Sequence, residues 1–215
     1  MTPTTDVRIL TPVSLSDAIS LRSRTRKLRL LLDELQPTEE TSVLDVGADE
    51  LGFGERDGCG TLNFLEEMYP WPGRITALGL QDGVEFRSRY PHISYVQGDA
   101  CALPFADGEF DIVFSNAVIE HVGDRLRQRL FVSEALRVGR RVFLTTPNRR
   151  FPIEVHTRFP LVHWLPDRIA RRAYEAAGKS FASDIHLLSK QAFESLFPGR
   201  VRIVNLGLTL VAIVD

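Results

Sequence analysis

Val43-Leu44-Asp45-Val46-Gly47 is a run of apolar residues broken by one acid and ended by a glycine, and it reads as a short buried strand. The polar, glycine-rich stretch 48–60 follows it. Downstream the pattern repeats: a helix is predicted over 61–69, stopped by Pro70 and Pro72, then a strand over 75–80 and a short helix over 84–90. Strands over 93–96 and 110–115, a helix over 125–138 and a strand over 141–145 continue the alternation. Short apolar strands separated by helices imply βαβ units and a parallel sheet. Upstream, Ser14 and Asp17 have the spacing of a capping box ahead of a helix to Leu35, ended by Pro37. Its apolar stripe would be Ile19, Leu28, Leu31, Leu32 and Leu35, with Arg22, Arg24 and Arg26 solvated. Beyond Thr145 the rhythm breaks. Residues 151–166 are rich in Pro, His and aromatics, helices are expected around 167–177 and 189–196, and 201–204 with 208–214 read as a hairpin.

The expected fold is therefore α/β: a doubly wound, Rossmann-like, seven-stranded and mostly parallel sheet, with one antiparallel edge strand and helices on both faces. One domain is expected, divided into an N-terminal arm and helix (1–36), a cofactor-binding core (41–148), a substrate-covering insertion (149–186) and a C-terminal helix and hairpin (187–215). The 215 residues are 44% hydrophobic and 25% charged, as in ordinary globular proteins. The net charge is −2 with both signs interspersed, which gives no reason to expect nucleic acid or a membrane surface as partner. Cys59 and Cys101 match no metal-ligand spacing and form no disulfide framework. Residues 1–9 lack the pattern of a secretory signal, and no apolar run approaches the ~20 residues that span a bilayer. A soluble, cytoplasmic protein is expected. The sequence does not give its oligomeric state.

In open α/β sheets ligands bind beyond the carboxyl ends of the strands. The residues there are Asp45, Gly47 and the following loop, Asp99, then Asn116, Glu120 and His121, then Pro147 and Asn148. Val43-Leu44-Asp45-Val46-Gly47, Gln97-Gly98-Asp99-Ala100 with Leu103-Pro104-Phe105, Phe110 through Asn116, and Ile119-Glu120-His121-Val122 together resemble the ordered motifs of class I S-adenosylmethionine-dependent methyltransferases. The small-molecule and lipid methyltransferases are the nearest group. The resemblance implies S-adenosylmethionine as cofactor, left as S-adenosylhomocysteine. It places Asp45, Gly47 and Ala48 against the methionine end, Leu80 and Ala100 beside the adenine, Asp99 as acceptor from the adenine amino group, and Asn116 at the methionine moiety.

Two features depart from that pattern. The usual alternating glycines after the first strand are replaced here by Asp49 and Leu51, with Gly52, Gly54, Gly58 and Gly60 further on. The acid expected at the end of the second strand, which would bind the ribose hydroxyls, falls on Gly79, with Asp82 three residues later. A dinucleotide is disfavoured, because Asp49, Glu50, Glu55 and Asp57 would repel a pyrophosphate, whereas a sulfonium and an ammonium tolerate an acidic loop. The aromatic segment after the fifth strand is placed to cover an acceptor, which would sit between the arm, Asn148 and 151–166. His156 is the leading candidate for a general base, and Glu120 and His121 could flank the transferred methyl. In some relatives such a Glu-His pair joins further ligands at a divalent metal, but Ala117 stands where a second Glu would be, so no metal is expected. The expected function is methyl transfer to an O or N atom of a small molecule or glycan. The alternative is a methyltransferase-fold protein that binds or scaffolds without catalysis.

Overall fold

A computed structural model of the chain describes residues 15–49 and 63–215. The N-terminal arm, Ser14, the Asp17 side chain, Cys59 and the glycines at 52, 54, 58 and 60 lie outside the described residues, so the capping box and the loop reading stay expectations.

The elements in chain order are α1 (Leu15–Leu35), β1 (Val43–Val46), α2 (Phe64–Met68), β2 (Ile75–Gly79), α3 (Val84–Arg89), β3 (Ser94–Gln97), β4 (Phe110–Asn116), α4 (Arg125–Val138), β5 (Gly139–Pro147), α5 (Asp167–Ala176), α6 (Lys190–Glu194), β6 (Arg202–Asn205) and β7 (Thr209–Val214). Seven strands form one sheet in the order β3-β2-β1-β4-β5-β7-β6. The order reverses between β1 and β4, which run parallel with Val43 opposite Ile112. There α2, which follows β1, and α4, which follows β4, pack on opposite faces of the sheet, the arrangement that leaves a crevice in open α/β folds. The reversed strand is β7, antiparallel to β5 on one side and to β6 on the other, so it sits one position in from the edge.

Both faces of the sheet are covered, which is why its strands are nearly all apolar. On one face Leu44, Val46, Val113, Val142 and Leu144 pack against Phe131 and Val132 of α4 and Phe193 of α6. On the other, Val43, Ile112, Phe114 and Phe143 pack against Leu28 and Leu31 of α1, Phe64 of α2 and Phe86 of α3. Ile19, expected in the α1 stripe, is 57% exposed, and the stripe begins instead at Leu21, which is partly buried against the core.

The insertion is held by polar contacts to the end of β5. His163 Nε2 lies 3.0 Å from the carbonyls of both Arg149 and Phe151, and Trp164 Nε1 donates to Arg149 O at 2.7 Å. Phe159 stacks on Tyr174 of α5. Asn148, which the sequence places beside the acceptor, spends its side chain on the hairpin turn. Its Nδ2 donates to Gly207 O at 2.9 Å and its Oδ1 accepts from the amide of Arg150. Among the described residues, no helix is long and apolar enough to cross a membrane.

Candidate active site

Asp45 lies on β1 with its side chain buried beside Glu66 of α2. Burial and the adjacent Glu66 carboxyl raise its pKa well above the usual carboxylate range, and burial moves Glu66 up to about 7. Among the described residues the Glu66 carboxyl has no hydrogen-bond partner other than the Asp45 carboxyl. Gly47 follows with φ +103°, and a Cβ there would overlap Val118, which comes after β4. The glycine is thus required by this protein's own packing, whereas the sequence suggested the approach of a ligand. The amides of Gly47 and Ala48 both donate to Leu78 O, at 2.8 and 3.0 Å.

The same kind of packing explains the missing acid at position 79. A Cβ on Gly79 would overlap the carbonyl of Ala48 and the hydroxyl of Tyr95, so no side chain fits between β1 and β3 at this height. Asp82 is exposed and accepts from the amide of Val84 at 3.2 Å, capping the start of α3.

Leu80 and Asp99 end up on neighbouring strand ends, because Gly98 N donates to Gly79 O and the Gln97 side chain donates through Nε2 to Leu80 O. Leu80 is 72% exposed and Ala100 is buried. An exposed leucine beside a carboxylate suits a flat apolar ring carrying an amino group, so this corner fits the adenine of S-adenosylmethionine. Asp99 is already engaged: Arg127 of α4 grips both its oxygens, at 2.8 and 3.1 Å, and the Cys101 amide donates to Oδ1 at 2.8 Å. The Cys101 amide and Arg127 hold its carboxyl below the usual range, so it is an anion and an acceptor. Asn116 at the end of β4 accepts through Oδ1 from Thr145 Oγ1 at 2.9 Å and from Lys27 Nζ of α1.

After β4 the chain turns through Ala117, a non-glycine residue at φ 58°. This carries Glu120 inward and His121 outward. The insertion brings His156 back over both. His121 Nε2 and His156 Nε2 are 3.2 Å apart, and Glu120 Oε1 is 3.9 Å from the latter and 4.0 Å from the former. The three residues singled out in the sequence, of which His121 and His156 are 35 positions apart, are brought together. Glu120 is fully buried; its Oε2 accepts from Thr146 Oγ1 at 3.1 Å, while Oε1 has no hydrogen-bond partner. Burial moves its carboxyl up to about 7, against the pull of His156. Burial, then the charge of His156, brings His121 down to about 4, so its ring is neutral at pH 7.

Glu154, not singled out in the sequence, orients His156. Its Oε1 lies 2.6 Å from His156 Nδ1 and 3.0 Å from the His156 amide, and its Oε2 accepts from the Thr157 amide at 2.6 Å. These bonds outweigh burial and hold its carboxyl down at about 2. With Nδ1–H committed to Glu154, the lone pair of His156 is on Nε2. Glu154 raises the His156 pKa above its ordinary value despite burial. The Glu-x-His spacing was the available signal. Lys27 was also passed over, and Arg24, expected to be solvated, is largely buried with its Nε unpartnered.

Comparison with known proteins agrees with the fold. A family model described as a methyltransferase domain matches residues 57–141, which leaves β1 outside the match. A probable S-adenosylmethionine-dependent methyltransferase of Mycolicibacterium smegmatis is 46% identical over 97 residues, 43% of this chain and 37% of that protein. A demethylmenaquinone methyltransferase of Renibacterium salmoninarum is 32% identical over 126 residues, 57% of this chain and 47% of that protein. The match spans less than half the length of these relatives. Among solved structures, the PH0226 protein of Pyrococcus horikoshii superposes with a TM-score of 0.58 at 17% identity, covering 96% of this chain and 95% of its own. The N-methyltransferase NodS of Bradyrhizobium japonicum gives 0.54 at 14% identity, over 93% and 97%. Four motifs in order, the strand order and the match of residues 57–141 to a methyltransferase-domain model together liken this chain to the class I S-adenosylmethionine-dependent methyltransferases.

Proposed function

We propose that the chain transfers a methyl group from S-adenosylmethionine to an oxygen or nitrogen of a small molecule or glycan, with His156 as general base. The observation that carries this reading is the His156–Glu154 pair, set over the end of β4 with Nε2 beside His121 Nε2 and Glu120 Oε1. When bound, the cofactor supplies an electrophilic methyl on a sulfonium. Leu80, Asp99 and Ala100 hold the adenine end, while Asp45, Gly47, Ala48 and Asn116 line the methionine end. His156 Nε2 takes the acceptor's proton, and Glu154 stabilises the imidazolium that forms. His121 packs edge-on against His156, with ring centroids 5.0 Å apart, and fixes its plane. Positioning at near-attack distance does much of the remaining work.

A second reading rests on Glu120 Oε1, a buried oxygen with no partner facing two imidazoles. The triangle formed by this oxygen and the two Nε2 atoms leaves a centre about 2.2 Å from each corner, close to metal–ligand bond lengths. On this reading Glu120, His121 and His156 hold a divalent cation, with Glu154 behind His156 as the carboxylate that orients the ring.

The test is calorimetric titration with S-adenosylmethionine and S-adenosylhomocysteine, followed by turnover on a panel of hydroxyl and amine acceptors with and without EDTA. Micromolar binding weakened at least tenfold by Asp99→Ala, with EDTA-insensitive turnover lost in His156→Gln, supports the base reading. Turnover abolished by EDTA and restored by Mg²⁺ or Mn²⁺ favours the cation. Failure to bind either nucleoside overturns the enzyme reading and leaves the binding or scaffolding alternative.

A further inference from the structure

Lys27 is one of three lysines in the chain, and it is the one the fold buries, at 5% exposure. It lies on the face of α1 that covers the carboxyl ends of β1 and β4. Its Nζ donates to Asn116 Oδ1, a neutral acceptor, and lies 5.5 Å from the centroid of the Phe64 ring. One turn earlier, Arg24 turns the same way. It donates through Nη1 to Ser20 Oγ and leaves Nε buried without a partner. Two cations thus sit side by side under α1, and neither has a carboxylate within ion-pair distance among the described residues. Glu120, the acid whose field reaches Lys27, is hydrogen-bonded to Thr146 and faces the two imidazoles instead.

A buried charge without a counter-ion costs several kcal/mol, and two adjacent like charges cost more. A fold keeps such a pair where an anion completes it. The position says which anion. Asn116 marks the end of β4 at the crevice, beside the turn of Gly47 and Val118, where the methionine end of the cofactor is assigned. That end is a zwitterion, and its carboxylate is the one anionic group the cofactor carries.

We propose that Lys27, with Arg24 behind it, is the counter-ion of the methionine α-carboxylate, so that α1 closes the cofactor site by charge as well as by packing. The inference rests on the methyltransferase reading above. It assigns to the N-terminal helix a direct role in cofactor selection. Lys27 also fixes the Asn116 carboxamide, leaving Nδ2 of that residue to donate to the same carboxylate. Arg24 has a further donor, its buried Nε, that no described residue engages.

The test compares S-adenosylmethionine with decarboxylated S-adenosylmethionine, which keeps the sulfonium and the amine and lacks only the carboxylate. Calorimetric titration of the unaltered chain should show the full cofactor binding at least tenfold more tightly. Lys27→Met keeps the aliphatic stem and removes the buried charge, so it should fold with an unchanged far-UV spectrum. It should weaken the full cofactor about tenfold and leave the decarboxylated one within twofold. Equal affinity of the unaltered chain for both ligands overturns the inference while leaving the methyltransferase reading intact, and needs no variant. So does an equal loss for both ligands in Lys27→Met. An anionic acceptor using Lys27 would give the first of these results. Binding of neither ligand removes the inference together with the reading it rests on.

Discussion

The carboxylate behind the imidazole sets the pH at which the site works. A general base acts through its neutral form, so kcat/KM should rise with pH through the His156 pKa, which Glu154 holds above 6.5. Glu154→Gln removes that charge. The rising limb should then move to lower pH, and kcat/KM on the plateau should fall by about 10- to 100-fold. A profile unmoved by the substitution would show that His156 only ties the insertion down. In the sequence the three atoms of this cluster were legible as residues but not as a cluster. Glu120 and His121 are adjacent, whereas His156 reaches them only because the insertion folds back over β4. Other residues defeated sequence reading for definable reasons. A glycine at 79 looked like the loss of a ribose acid, and only the Ala48 carbonyl and Tyr95 hydroxyl lying where a side chain would go show why no acid fits. Arg24 looked like a solvated position on a helix rich in arginine and Lys27 was not singled out, and their burial depends on how α1 lies across the sheet.

Elements with strong local signals formed where the sequence placed them. The helix expected over 125–138 is α4 at those bounds, because Asp124 caps it and Phe131, Val132, Ala135 and Val138 recur on one face. Asp124 Oδ1 accepts from the amides of Leu126 and Arg127, both at 3.0 Å. Asp124→Ala should therefore lower unfolding stability by about 1 kcal/mol, read from chemical denaturation. Arg127, held in that first turn, also grips Asp99, so the corner proposed to hold the adenine depends on the same cap. The variant should weaken S-adenosylhomocysteine binding by a few-fold, and unchanged affinity would show the Asp99 turn to be independent of α4. Strand ends were less legible. The strand expected over 141–145 extends to Gly139–Pro147, because its pairing with β7 continues past the apolar run to Thr209. Alternation of hydrophobicity cannot report hydrogen bonds made by Thr146 and Pro147 to a strand 60 residues away.

At the scale of the whole molecule, the buried charges under α1 and α2 predict an unusual dependence of stability on pH. Glu66 titrates at about 7 in the folded chain against an ordinary 4.5, and Asp45 is raised in the same direction. Between those values the folded state holds protons that the unfolded state has lost, so stability falls as pH rises from 4.5 to 7. The Glu66 contribution is on the order of 3 kcal/mol. Lys27 acts in the opposite sense. Burial first, then Arg24, brings it from 10.5 to about 7, so above pH 7 the unfolded state holds the extra proton and stability climbs again up to pH 10.5. The ligand-free chain should therefore show a stability minimum near neutral pH, measurable as Tm across a pH series at fixed ionic strength. Glu66→Gln should make the acid limb shallower, the remainder coming from Asp45 and Glu120, and Lys27→Met should flatten the alkaline limb, each leaving the other in place. Two limbs that respond to the wrong substitution, or a flat profile, would show the buried pairs to be neutralised by groups outside the described residues. Since a ligand that binds only the folded state adds stability, a zwitterion with one charge for each buried cluster should raise Tm most at the pH where the bare fold is weakest.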